Sequence, residues 1–345
     1  MDEEKAGLQA KIEQEREKRS IAWLGARMRE TIVIILTVSA LCFEVAAQPT
    51  GKISYQSSED WQLYIMDVES GERTKITDDM RKTSIHASLS NEGSRIAMSV
   101  DLDRDGDKEI HIIDISSGRR WRLTNNPWNE NDPRWSPDDN CIAFTANPRV
   151  QKGNEFPAIY KIHVDGTQQQ RVVQGQYPAW SPDGEWIAFS KGNIYKIRHS
   201  DKLTVRITND DSFLDDMSAF SPDGKTVAFV SCNLKRLGDA LIYVVDIDTG
   251  KRRRLTETDG AWHFNPCWSP DGKHIAFHSS IPHSISIMDD DGGNERILIE
   301  NAYYPSWSPC RPYAVLPHER TLAPWGALKA LWRTTKSHHG GMPCF

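Results

Sequence analysis

The run Trp-Ser-Pro-Asp-Gly constrains the fold of this chain more than any other feature, because it recurs. WSPDG occupies 180–184 and again 268–272; FSPDG starts at Phe220, WSPDD at Trp135 and WSP at Trp307, and a looser copy, LSNEG, starts at Leu89. The motif serines Ser90, Ser136, Ser181, Ser221, Ser269 and Ser308 follow one another at intervals of 46, 45, 40, 48 and 39 residues. Such a period is that of a four-stranded propeller blade. A catalytic serine occurs once per site, whereas a turn serine occurs once per repeat, so Ser181 reads as scaffold. The chemistry agrees: proline presets φ at the second turn position, aspartate bonds nearby backbone, and glycine accepts a positive φ at the exit. Asp139, standing where the other copies have glycine, is among the residue types that tolerate that region.

Three further landmarks repeat between the turns. An IAF-like run follows each of the first five, as at Ile142-Ala-Phe144 and Ile187-Ala-Phe189. An IYxxD-like run comes next, as at 63–67, 110–114 and 242–246, and then an RLT-like run, clearest at 122–124, 206–208 and 254–256. These stretches are rich in Ile, Val, Tyr and Phe and bounded by Gly, Asp, Asn and Pro, which is strand-and-turn composition. Each repeat therefore supplies four strands, A to D, with the motif serine closing strand A. Trp135, Trp180, Phe220, Trp268 and Trp307 supply an apolar wedge between neighbouring blades.

The phase of the repeats predicts how the ring closes. The chain enters the pattern at strand B, Lys52-Ile-Ser-Tyr55, and leaves it at strand A, Tyr304-Pro-Ser-Trp-Ser-Pro309. Pairing the two ends balances the strands and removes the free sheet edges of an open array. The expected fold is all-β: a six-bladed β-propeller over residues 50–309, with four antiparallel strands per blade and the N-terminal strands B to D joined by the C-terminal strand A.

The pattern [WF]SPDGxxIAFxS…IYxxDxxxGxxxRLT resembles the propeller repeat of the TolB family, shared in looser form with prolyl-oligopeptidase-type propellers. The resemblance covers about residues 50–309 and implies a periplasmic or cell-envelope protein that binds another protein at a propeller face. TolB itself carries an α/β domain ahead of its propeller, whereas here the repeats begin soon after a hydrophobic segment. No individual TolB contact residue transfers by position. Fold alone does not fix activity. A prolyl-oligopeptidase-type enzyme needs a G-x-S-x-G elbow, which this sequence lacks, and the 36 residues after Pro309 are too few for its hydrolase domain. Related propellers include metal-dependent sugar lyases, so a metal-assisted carbohydrate-active enzyme is the alternative.

The flanks are separate segments. Residues 28–47 have the layout of a secretory signal peptide: Arg27 and Arg29, the apolar run 31–43, and small residues at Val45, Ala46 and Ala47 before a cleavage site. That run is too short to span a bilayer, which takes ~20 residues. Residues 1–27 read as a charged helical extension ahead of Met28, the expected start, and 310–345 as an irregular tail. Export implies a periplasmic or secreted protein with no membrane span after cleavage. Five cysteines would remain, without CxxC spacing, arguing against a zinc site; a Cys310–Cys344 bridge is one way to hold the tail. The net charge of −6 with no Lys/Arg stripe argues against a nucleic-acid partner. A monomer is expected.

Two sets of candidate site residues emerge. The D–A connections carry His86, Trp128, Asp132, Tyr177, Asp215, Asp216, Trp262, His263, Tyr303 and Tyr304, which would line one mouth of the channel. Aromatics among carboxylates suit a cationic peptide, a sugar or a protein loop. The competing view is that these residues merely cap the inner strands. Separately, Asp101, Asp103, Asp105, Asp107 and Glu109 alternate around Gly106 as at the start of an EF-hand calcium loop. Ile112 stands where that loop needs its bidentate glutamate, and a B–C hairpin turn is the favoured reading. No catalytic residue and no cofactor other than calcium is suggested. His274 and His278 share one strand face and show no metal-ligand spacing.

Overall fold

The computed structural model describes residues 49–80, 86–102, 106–148, 156–234, 240–257 and 260–308. The segments 1–48 and 309–345, with the expected signal peptide, the tail and the Cys310–Cys344 pair, lie outside the described residues. Among the described residues there are twenty-four strands and no helix, and hence no helix long and apolar enough to cross a membrane. The strands form six antiparallel four-stranded sheets. In five of them strands A to D are consecutive in sequence. The sixth joins β24 (Ala302–Ser308) to β1 (Lys52–Ser57), β2 (Leu63–Asp67) and β3 (Arg73–Lys75). Lys52 pairs with Ser308 and Ile53 with Trp307, so the ring closes with the phase the repeats imply.

Each landmark has a physical role that recurs. In the A–B turns the hydroxyls of Ser136, Ser181, Ser221 and Ser269 donate to Asp138, Asp183, Asp223 and Asp271, and each accepts the N–H of the residue opening strand B. Asp139 has φ 55°. Its carboxylate also accepts N–H groups of Asn91 and Glu92 on the preceding blade, so this departure from glycine adds an interblade clamp. The threonines ending the RLT runs accept an N–H near the start of strand C, at Leu63, Ile110, Ile194 and Ile242. Phe144, Phe189, Phe229 and Phe277 of the IAF runs are fully buried between sheets.

The motif tryptophans do more than wedge. The indole N–H groups of Trp135, Trp180 and Trp268 donate at 2.9, 3.2 and 3.2 Å to the carbonyls of Ser88, Arg134 and Ala219, each the residue before the first motif residue of the previous blade. Trp307 instead reaches Thr50, at the seam where the ring closes.

Candidate functional site

The six innermost strands surround the channel: β4 (His86–Leu89), β8 (Trp128–Trp135), β12 (Gln176–Trp180), β16 (Phe213–Phe220), β20 (His263–Trp268) and β24. They run further towards the D–A end than the sequence pattern suggests. Trp128, Asp132, Tyr177, Asp215, Asp216, His263, Tyr303 and Tyr304 therefore lie within strands rather than in D–A loops, and only Trp262 stays in a connection. A repeated bulge allows this. Three residues before the motif aromatic, Asp132, Tyr177, Met217, Asn265 and Tyr304 all have φ between 52° and 54°, and pairing with strand B shifts register there. A left-handed residue with an extra step on one strand bends the strand and re-aims its side chains.

The bulge gathers one group of candidates at the mouth. His86 Nδ1 stands 2.6 Å from Asp132 Oδ1, and the His86 ring lies 4.6 Å from that of Tyr304. Burial, then the nearby carboxylates of Asp132 and Asp216, push the Tyr177 phenol well above its ordinary range. Burial likewise lifts the Asp216 carboxyl to about 6, with the Ser190 hydroxyl opposing and Asp132 reinforcing the shift. Tyr303 and Tyr304 lie 6.0 Å apart.

Other candidates are not presented to the mouth. Asp215 is fully buried, accepts from the Ser231 hydroxyl at 2.6 Å, and faces Arg252, which is stacked over Tyr243 and Phe213. His263 is 1% exposed and packs edge-on against Phe277. Trp128 packs on Tyr160. Trp262, by contrast, is half exposed. Asp215, His263 and Trp128 are thus engaged within or between sheets, whereas His86, Asp132, Tyr177, Asp216, Tyr303 and Tyr304 lie together around the mouth.

Within the acidic run, Asp103 and Asp105 lie outside the described residues. Glu109 opens strand C and is buried, accepting from Arg122 at 2.8 Å and from the Asn126 N–H at 3.0 Å. Glu130 stands beside it, lifted to about 8 chiefly by burial. Glu109 is thus engaged in an interstrand ion pair. Among the described residues no three His, Cys, Asp or Glu side chains are grouped to hold a metal ion.

Strands B and C and their connections add residues at the mouth; of these the sequence analysis weighed only His278, and not as a mouth residue. His278 packs edge-on against Tyr303 at 5.0 Å, and His283 lies 5.5 Å from the same ring. Burial, then the neighbouring His283 and His263, depress His278 to about 4, so it is neutral at pH 7. Lys108 is half-buried near Asp132 and Asp101 and depressed by that partial burial. Trp61 stacks on Tyr303 from the first blade. A signal was available, since B–C connections share an end of the ring with D–A ones. His274 and His278 do share a strand face, but four strand residues set them ~13 Å apart, with His274 near Asp289 at the other end.

The model of the TolB beta propeller domain matches residues 48–193 and 174–317, most of the chain. The chain belongs to the TolB β-propeller domain family. Among curated proteins it is similar to the uncharacterized peptidase YuxL of Bacillus subtilis, with 28% identity over 197 residues, 52% of this chain and 27% of that protein. It is also similar to the uncharacterized protein Atu1656 of Agrobacterium fabrum, with 27% identity over 213 residues, 56% of this chain and 69% of that one. The chain thus spans about a quarter of the length of the peptidase relative. Among solved structures, TolB from Acinetobacter baumannii has a TM-score of 0.63 at 22% identity, covering 76% of this chain and 67% of that one. Oligogalacturonate lyase from Vibrio parahaemolyticus has a TM-score of 0.51 at 16% identity, covering 68% and 75%. At identities this low the structural likeness shows the fold alone.

Against that TolB-family frame, the distribution of exposed apolar side chains is uneven. Eight large hydrophobic residues are exposed among the described residues. Five of them, Phe156, Leu214, Leu234, Trp262 and Ile281, stand on B–C connections or at the start of strand A, all at the mouth end. The remaining three, Leu203, Val205 and Ile297, sit on or beside the outer strands D.

Proposed function

We propose that this TolB-family propeller is an exported binding module that docks a protein partner on the face formed by its D–A and B–C connections. The observation that carries the reading is the gathering of Phe156, Leu214, Leu234, Trp262 and Ile281 at that end, with Phe156 57% and Ile281 66% exposed. Isolated surface hydrophobics need no explanation, but their concentration on one face is what interaction sites show. The tyrosines at the centre supply the aromatic enrichment typical of an interface. The signal-like segment 28–47 supports export to a periplasmic or secreted location, with N-terminal sequencing of the mature protein at residue 48 as the check.

The binding reading is favoured over the carbohydrate-active one because the mouth groups pair off, His86 with Asp132 and His278 with Tyr303, and do not converge on one reacting atom. The test presents envelope extract to the immobilised full chain and to a Trp262→Ala/Ile281→Ala double variant. A saturable, stoichiometric partner held by the wild type and lost from the variant is expected. A partner held equally by both would overturn the choice of face. EDTA-dependent turnover of an acidic oligosaccharide would replace binding with the enzymatic reading.

A further inference from the structure

The channel is not uniform along its length. Behind the mouth, towards the A–B turns, lies a cavity of about 170 Å³ bordered by all six inner strands. Its walls are largely motif aromatics and prolines, and among the residues lining it Arg134 is the one charged side chain; no carboxylate borders it. Arg134 belongs to β8. It borders the cavity together with Cys267, on β20 of the opposite blade. It donates at 3.2 Å to the carbonyl of Pro133, one of the five N–H donors that a guanidinium carries.

Two buried polar atoms lie in the same wall. Ser218 Oγ on β16 and Asn265 Oδ1 on β20 border the cavity, each on a residue 7% exposed, and neither has a hydrogen-bond partner among the described residues. Buried polar groups left without partners are uncommon, and each calls for an explanation. Because the amide oxygen and nitrogen of asparagine exchange places by a simple flip, Asn265 can offer either a donor or an acceptor to the cavity. The Cys267 thiol, pushed up to about 12 chiefly by burial, remains protonated and adds no negative charge.

We infer that the channel carries an anion subsite, distinct from the mouth, in which Arg134, Ser218 and Asn265 take a carboxylate. The planar guanidinium fork matches a carboxylate in two parallel N–H···O bonds. The Ser218 hydroxyl and the Asn265 amide can donate to the remaining lone pairs, and the apolar walls accept a short aliphatic stem. Asp132, two residues before Arg134, favours the charged guanidinium but also faces His86 at 2.6 Å and lies near Lys108, so Arg134 does not claim it alone. The carboxylate could belong to a small free acid or to an acidic side chain of a protein segment entering the channel.

Isothermal titration of the full chain at pH 7 and constant ionic strength tests this, with acetate as one probe and acetyl-Gly-Gly-Glu amide, beside its glutamine analogue, as the other. Saturable binding of acetate assigns the subsite to free acids. Binding of the glutamate peptide without acetate or the glutamine analogue assigns it to a protein segment. Either affinity should fall at least about tenfold in Arg134→Gln and roughly three- to tenfold in Ser218→Ala. Ser218→Ala breaks no observed hydrogen bond and keeps the test decisive if Arg134→Gln fails to fold. No saturable binding of either probe, binding that chloride matches at equal concentration, or affinities unchanged in both variants would overturn the inference. The Trp262→Ala/Ile281→Ala variant should bind both probes like the wild type, which separates this outcome from failure of the docking face.

Discussion

The two ends of the propeller are built on opposite plans. At the A–B end four turns repeat one set of bonds, a serine hydroxyl given to the turn aspartate and taken from the next strand. At the D–A end the residues three before the first residue of each motif are His86, Asp132, Tyr177, Met217, Asn265 and Tyr304. No two neighbouring blades present the same side chain there, although five of these residues share one left-handed backbone geometry. Repetition marks what each blade needs in order to pack on the next. Variation at fixed geometry marks where selection is free to build a surface. The fold is held at one end and addressed at the other.

The contrast can be broken most forcefully in the repeated core. Phe229→Ala and Phe189→Ala should each cost about 3–5 kcal/mol in urea denaturation, with near-equal values because both side chains are fully buried at equivalent positions. A difference as large as the effect itself would show that the blades are not energetically equivalent.

The mouth should respond to pH. The Asp216 carboxyl, lifted to about 6 by burial, favours folding while protonated. Its contribution is complete below its unfolded value near 3.8 and is lost as pH rises through about 6. Asp216→Asn should remove that slope and stabilise the protein at pH 7 by about 1–3 kcal/mol. His278, depressed to about 4, works the other way: its contribution is complete above about 6.5 and is lost as pH falls through about 4. His278→Phe should flatten the acid limb, and melting curves between pH 4 and 8 check both signs. Stability curves parallel to that of the wild type would contradict the burial assigned to these groups.

Smaller effects separate the ends further. Thr256→Val leaves the N–H of Ile242 without its acceptor and should cost about 1–3 kcal/mol, as should Thr208→Val at the equivalent place. Trp262→Ala, half exposed at the mouth, should change stability by no more than about 0.5 kcal/mol while weakening partner capture. A large stability loss there would make Trp262 a core residue and remove it from the docking face.

What the sequence disclosed follows the same division. Turn serines, IAF cores and the phase of ring closure were legible because proline, glycine and strand alternation act locally, and each copy supports the others. The Thr256 cap was visible as part of RLT but not as a hydrogen bond, since its acceptor role depends on strand C lying alongside. The bulge was invisible: tyrosine and methionine carry no sign of a positive φ, and only tertiary packing makes Tyr177 and Met217 accept it. The assignment of Asp215 and His263 to the mouth failed for that reason, because inner strands longer than the pattern suggests carry those side chains into the sheet. That Arg134 and Cys267 border one cavity could not be read at all, as it joins positions 133 residues apart on opposite sides of a closed ring.

The most direct test of the docking account is site-specific photo-crosslinking in envelope extract, with the reactive side chain placed in turn at Leu214, Trp262 and Ile281 on the mouth face and at Leu203 and Ile297 on the outer strands. The account predicts one discrete adduct of common mass from the three mouth positions, suppressed by excess unlabelled protein, and none from the outer pair. Adducts of equal yield from both sets, or a discrete adduct from Leu203 or Ile297 alone, would contradict it.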